Sequence, residues 1–304
     1  MERRDMKELN LRCKLITPMF MAGSDKETTE LRPTEFKGMM RWWWRAIKAE
    51  DNIQKLKKEE AEIFGSIEKE GKSKLYIRIL TELNESDKID YQLLPHHKRN
   101  YCTIDEKINC KKAFERKAVK PEKEIQIVFF VTQENLYWIE NLIYLAFILG
   151  GFGKRSRRGF GSFEIIYPKK EIKSLNDILI LLNGINNGRY EIANSKIINN
   201  VQAIINKKIH QLQYPWIQEI ILSNREFRNY NEFLEFIGNV SHKYKDPSLG
   251  NANPRMASPV YVSGVITKGK LKPIITILNP VFPKNYPECN FNEQKNFIKE
   301  LVNE

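Results

Sequence analysis

Residues 8–17, ELNLRCKLIT, alternate polar and apolar positions with a period of two, the pattern of a strand with one buried face. Pro33 and the Thr-Glu that follows it mark a helix start, and helix is predicted over 33–50. A second, charged helix is expected through LKKEEAEIFGS, ending at Gly65. A strand is expected over 73–80, SKLYIRIL. Residues 81–123 are polar and rich in Lys, Asn and His, and read as a long irregular insertion. KEIQIVFFVT (123–132) predicts a buried strand. ENLYWIENLIYLAFILGG predicts an amphipathic helix closed by glycine. GFGSFEIIYP predicts a last strand. The order β-α-β-β-α-β, with one extra short helix and one insertion, is that of a ferredoxin-like unit ending near Pro168.

The second half begins with two predicted helices, about 174–186 and 190–211. Strand YPWIQEIILS and helix YNEFLEFIGNVSHK follow. A Pro/Gly/Asn-rich loop spans 246–259. Two strands, 259–267 and 271–279, meet at the turn KGK, and a last helix covers about 291–303. This reads as a second, degenerate unit of the same type. The expected fold is therefore α+β, with two ferredoxin-like (RRM-like, βαββαβ) domains. The first covers 1–168, with the insertion at 81–123 and a glycine-rich loop at 150–161. The second covers 169–304, with extra helices at its start.

Charge narrows the function classes. The 304 residues carry a formal charge of +12, which points to a polyanionic partner or to a Lys- and Ile-rich proteome. Composition does not separate these, but clustering of the charge can. No apolar stretch reaches the ~18 residues of a membrane span. MERRDMKELNL lacks the apolar core of a signal peptide, so a cytoplasmic protein without membrane partners is expected. The cysteines, Cys13, Cys102, Cys110 and Cys289, fit no disulfide framework. His96 and His97 with Cys102 and Cys110 could hold zinc, but their spacing is unlike the usual short ligand pairs. No metal and no cofactor is assigned.

On a helical wheel Phe36, Met40, Trp43 and Ile47 form one stripe, the expected core face. Lys37, Arg41, Arg45 and Lys48 gather on the far side, flanked by Gly38 and Trp42. Trp44 falls between the faces, a boundary residue covered by its neighbours. Trp42 points toward the basic side. It either contacts the second domain or the insertion, or offers a stacking surface for a base or sugar. Gly38 lowers helix stability by about 1 kcal/mol relative to Ala. An absent side chain there lets another backbone approach, and a phosphate beside Lys37, Arg41 and Arg45 suits the place.

GGFGKRSRRGFGS, residues 150–162, sets five glycines around Lys154, Arg155, Arg157 and Arg158. It follows a helix and lacks G-x-x-x-x-G-K-[ST], so it is neither a P-loop nor a dinucleotide fingerprint. Glycines such as Gly151, Gly153 and Gly159 can turn backbone N–H groups toward an anion, and the arginines can grip phosphate bidentately. A polyphosphate-binding loop is expected. It should line one groove with the basic side of helix 33–50.

These residues resemble the RAMP superfamily of CRISPR effector subunits. The carriers are GGFGKRSRRGFGS, LITPMFMAG, Arg32-Pro33, Lys37-Gly38, RWWWRA, EEAEIFGS and the late RMASPVYV. Within that superfamily the pattern is most similar to the first-numbered RAMP subunits of type III-B (Cmr) complexes. The resemblance implies two ferredoxin-like domains and a place among other RAMP subunits of an RNA-guided antiviral complex. It also implies contact with the 3′ part of the guide RNA (crRNA) and with the target RNA paired there. The matching positions are Arg32, Lys37, Gly38, Arg41, Trp42, Arg45 and the loop 150–161. In the second domain Arg255 matches, where Met256 departs from the usual pair of basic residues.

Some RAMP proteins cut RNA. A metal-independent endoribonuclease that processes guide RNA often relies on histidine, and this chain has only His96, His97, His210 and His242. Others cleave target RNA with an aspartate and a metal, and Asp25 in MAGSDKETTEL is the one position of that kind. The expectation is a non-catalytic RNA-binding subunit, with guide-RNA processing as the alternative.

Overall fold

The computed structural model describes residues 6–25, 27–67, 71–95, 115–200 and 214–303. The first sheet holds β1 (Met6–Leu15), β2 (Leu75–Ile79), β5 (Glu124–Thr132) and β6 (Phe163–Tyr167) in the order β2-β5-β1-β6. All its pairings are antiparallel. β1 alternates as its sequence predicts, with Leu11, Cys13 and Leu15 buried and Arg12 exposed. α1 (Pro33–Lys48), α2 (Ile53–Phe64) and α3 (Leu136–Leu149) follow the predicted order. Asn52 caps α2, its side chain accepting from the Lys55 N–H at 3.0 Å.

The second sheet runs β10-β11-β9-β8-β7, from β7 (Tyr190–Ala193), β8 (Lys196–Asn199), β9 (Ile217–Leu222), β10 (Val260–Thr267) and β11 (Lys270–Leu278). Its β10-β11-β9 core matches β2-β5-β1 of the first sheet position for position. The place beside β9, which β6 fills beside β1, is taken by β8 from earlier in the chain. α4 (Leu175–Asn183), α5 (Tyr230–Lys243) and α6 (Phe291–Val302) complete the elements.

Three expectations change. The helix predicted over 190–211 is, as far as residue 200, the hairpin β7–β8; residues 201–213 lie outside the described residues. Asn194 and Ser195 both take positive φ, 50° and 60°, which suits a two-residue hairpin turn and opposes helix. The insertion is not irregular at its ends. β3 (Lys88–Gln92) and β4 (Glu115–Val119) pair antiparallel, and Tyr91 donates to Asn231 Oδ1 of α5 at 2.8 Å. Residues 96–114, with His96, His97, Cys102 and Cys110, lie outside the described residues, as does His210.

The third change concerns α3, expected to be amphipathic. Every residue from Asn141 to Leu149 is buried. α3 packs on α1, on α4 and on strands of both sheets, while α5 and α6 cover the other face of the second sheet. A helix enclosed on all sides needs apolar residues all round. One hydrophobic cluster accordingly runs from Leu11 and Phe36 through α3 to Ile220, Tyr261 and Ile274.

Candidate nucleic-acid interface

The stripe predicted for α1 is the buried one: Phe36, Met40, Trp43 and Ile47 are all 0% exposed. Trp44 is buried as well, edge-on to Phe64 of α2 with ring centroids 6.3 Å apart. The opposite side of α1 opens into a cleft of about 1090 Å³ between α1 and α2. Lys37, Arg41 and Arg45 form one wall, and Lys57 and Lys58 of α2 add two further cations. Burial, and then the charge of Arg41, hold the Lys37 ammonium below the usual lysine range. Gly38 is exposed, and a Cβ there would meet nothing within 4 Å. The space expected above it is therefore open.

The floor of this cleft carries an acid. Arg41 Nε and Arg45 Nη1 both donate to Glu60 Oε1, the second at 2.6 Å. The Glu60 side chain is only 6% exposed. Lys48 pairs with Glu59 at 3.1 Å. Sequence reasoning assigned no role to Glu60, Lys57 or Lys58. A signal for Glu60 existed: Leu56, Glu60, Ile63 and Phe64 follow helical spacing on the buried side of α2, and a charge on such a stripe needs a partner.

The loop 150–162 behaves differently. Lys154 donates its backbone N–H to Phe20 O at 2.9 Å, Gly159 to Val262 O at 2.8 Å and Gly161 to Pro18 O at 3.0 Å. Gly151 N–H meets the Tyr261 hydroxyl at 3.2 Å. These N–H groups face protein, so the expected anion cradle is, over these residues, a knot between the two halves. The glycines serve close approach. Gly153 has φ +83°, with Phe20 O 2.4 Å from where a Cβ would stand. Gly159 has φ +84°, with the Phe233 ring 2.6 Å away. A Cβ on Gly151 would sit 2.4 Å from Phe160 O.

The arginines of the loop also turn inward. Arg157 donates to Ser258 O, and its guanidinium lies over the rings of Trp42 and Tyr261 at 5.1 and 5.6 Å. Arg158 donates to Arg157 O and Val260 O, both at 3.0 Å, and to Leu249 O at 3.4 Å, and lies over Phe297. Burial, then the charges of Arg155 and Arg157, pull Arg158 down to about 10, still protonated at neutral pH. Burial lowers Arg155 and Arg157 in the same direction. Arg155 takes φ 60°, and its Nε is buried with no partner among the described residues. The Lys154 side chain is exposed.

Trp42 is where the two basic segments meet. It is part-buried, edge-on to Trp43 at 4.9 Å and 6.1 Å from Tyr261, with Arg157 across it. The contact with the second half expected of Trp42 is present, through Tyr261. Trp42, on the flank of α1's cationic side, thus touches Arg157, more than a hundred positions away, but neither residue lines the α1–α2 cleft, and the single groove expected from the two basic segments is not formed by it. Arg32 precedes α1, paired with Glu30 at 3.4 Å. Arg255 is exposed in the loop closed by the Asn251–Met256 bridge, three residues before the Ser258 carbonyl that holds Arg157.

Asp25 organises its own turn. Its carboxylate accepts from the backbone of Glu27 and Thr28, each at 3.0 Å, and from the Thr28 hydroxyl. These bonds, the Thr28 hydroxyl first, hold it below the usual carboxylate range. Among the described residues no three His, Cys, Asp or Glu side chains are grouped to hold a metal, and no helix is long and apolar enough to cross a membrane. Cys13 is a buried free thiol, raised by burial and then by Glu124.

Comparison with known proteins gives a consistent answer. The chain is 31% identical over 173 residues to CRISPR system Cmr subunit Cmr1-2 of Pyrococcus furiosus, covering 49% of this chain and 90% of that protein. It is 28% identical over 151 residues to subunit Cmr1-1 of the same organism, covering 48% of this chain and 44% of the relative. The crystal structure of Cmr1 from Pyrococcus furiosus in its apo form shares the fold. Its TM-score is 0.61 at 19% identity, over 98% of this chain and 96% of the other. A chain of the type III-B Cmr-beta complex bound to cognate target RNA matches at a TM-score of 0.54 and 12% identity, over 98% and 99%. The sequence pattern of the RAMP superfamily itself matches residues 12–164, and this chain belongs to that superfamily.

Proposed function

We propose that this chain is a non-catalytic RNA-binding subunit of a type III-B (Cmr) RNA-guided interference complex. In this reading it holds the 3′ part of the guide RNA, and the target RNA paired with it, against the α1–α2 cleft. The observation that carries the reading is the cleft itself. Five cations, Lys37, Arg41, Arg45, Lys57 and Lys58, converge on it. Phosphate contacts dominate affinity for nucleic acid, and a cluster of Lys and Arg on one face is their footprint. The relatives named as Cmr subunits, and the fold shared with a complex bound to target RNA, support the same assignment. We read both sheets as ferredoxin-like units, 1–168 and 169–304, the second lacking a closing strand after α6. The commitment of Asp25 to its own turn supports binding without cleavage.

The test is the salt dependence of binding to a labelled guide–target duplex with a single-stranded 3′ extension. Lys37→Ala, Lys57→Ala and Lys58→Ala combined should weaken binding at least tenfold. The slope of log K against log salt should flatten by about 2, at roughly 0.7–0.9 per lost phosphate contact. An unchanged slope removes the cleft from the RNA path. No discrete product should form during incubation with guide-RNA precursor, with or without magnesium.

A further inference from the structure

The cleft holds one residue that bulk electrostatics says should not be there. Glu60 is an acid at the bottom of a site otherwise lined by cations, and only 6% of its side chain is exposed. It occupies the buried stripe of α2 beside Leu56 and Phe64. Arg41 and Arg45 stand one helical turn apart on α1, an i,i+4 pair of like charges that repel. Both donate to the same Glu60 oxygen, Arg41 through Nε and Arg45 through Nη1. Both also remain part-exposed, at 42% and 34%. A guanidinium has five N–H donors in a rigid fork. One bond to Glu60 therefore leaves Arg41 its two terminal nitrogens, and Arg45 most of its fork, for another ligand.

We infer that Glu60 is a positioning residue for RNA phosphate. It offsets the repulsion between Arg41 and Arg45 and fixes their long side chains with the remaining donors toward the cleft. An arginine has many rotamers, and fixing it before the ligand arrives spares the complex that loss of entropy. This rests on the RNA-binding reading above and adds a claim whose sign is opposite to simple charge. Removing an acid from a phosphate site should tighten binding by Coulomb attraction alone. Removing a positioning acid should weaken it.

The experiment compares Glu60→Gln with the unaltered full chain, on the same labelled duplex, across a salt series, with thermal melting in parallel. Glutamine keeps the shape and removes the charge. Affinity should fall about tenfold although the net charge rises by one. Arg41→Lys with Arg45→Lys is the second variant; it keeps both charges and loses the forks that Glu60 holds. It too should bind about tenfold more weakly, with the melting temperature little changed. If Glu60→Gln melts much lower than the parent, the double lysine variant alone decides. Equal or tighter binding by Glu60→Gln, or parental affinity in the double lysine variant, overturns the inference. The Lys37/Lys57/Lys58 variant separates the two levels. If it also binds like the parent, the cleft reading itself falls; if only it is weakened, Glu60 merely joins α1 to α2.

Discussion

The basic side of α1 and the loop 150–162 look alike as sequence: each sets three or four cations close to glycine and aromatic residues. In the molecule they are opposites. Lys37, Arg41 and Arg45 line an open cleft, and Gly38 beside them touches nothing. Arg157 and Arg158 point their guanidiniums at backbone carbonyls and aromatic rings of the second half, and Gly159 lies against Phe233. The difference is where the donors are used. A cation whose N–H groups are already bonded to protein has little left for phosphate, whatever the local charge density. The α1 cluster reads as the ligand-facing element, and the loop as the fastening that brings Arg157 onto Trp42.

The largest expected contrast lies in the two glycines. Gly159→Ala forces an L side chain into φ +84° and into the Phe233 ring, and should destabilise the protein by about 3 kcal/mol. Gly38→Ala should stabilise it by about 1 kcal/mol, because α1 is exposed there and alanine favours helix. It should weaken RNA binding if a phosphate comes close at that spot. Denaturant unfolding checks both, and similar effects from the two would erase the distinction between the regions.

A smaller effect is expected at Arg158. Alanine there removes three hydrogen bonds to the carbonyls of Arg157, Val260 and Leu249 and the contact with Phe297, at a cost of about 2 kcal/mol, read as a lower melting temperature. The salt slope of RNA binding should stay close to parental, since a fastening arginine makes no phosphate contact. A flattened slope at unchanged stability would reverse the roles of the two regions.

The smallest concerns pH. Burial and Arg41 hold the folded Lys37 below its ordinary value, so it loses its proton at a lower pH than a free lysine. As pH rises through that lowered value the cleft loses one positive charge, and RNA affinity falls. Folding stability moves the other way: the penalty for burying the charged form is fully present below the folded value and fades as pH rises toward the unfolded one. Lys37→Arg should keep its charge and flatten the affinity profile across the same window. A profile identical to the parent's would place Lys37 outside the RNA contact.

Most of the first sheet was legible in the chain because its strands alternate and its helices carry their own punctuation. Pro33 starts α1, Gly65 ends α2, and the Phe36–Met40–Trp43–Ile47 stripe is the one that is buried. The β7–β8 hairpin was missed because its turn is Asn-Ser, without glycine, and its strands are four residues each. α3 was misjudged because periodicity identifies one covered face and does not reveal that a second sheet covers the other. At the candidate site, sequence picked out Lys37, Arg41 and Arg45 and passed over Glu60, although its helical spacing with Leu56, Ile63 and Phe64 was there to be read; which cations it would meet was not.

The order of the elements in the first sheet and its helices, the identity of α1's inner face and the places where charge is dense are local properties, set by spacing and side-chain type along one segment. They were determined by the sequence alone. Which of two equally charged segments offers its donors to solvent, and which spends them on carbonyls a hundred residues away, depends on long-range packing. So does the meeting of Arg41 and Arg45 on one buried carboxylate. A hydrogen bond between distant residues leaves no periodic trace in the chain, and only the tertiary structure decided it.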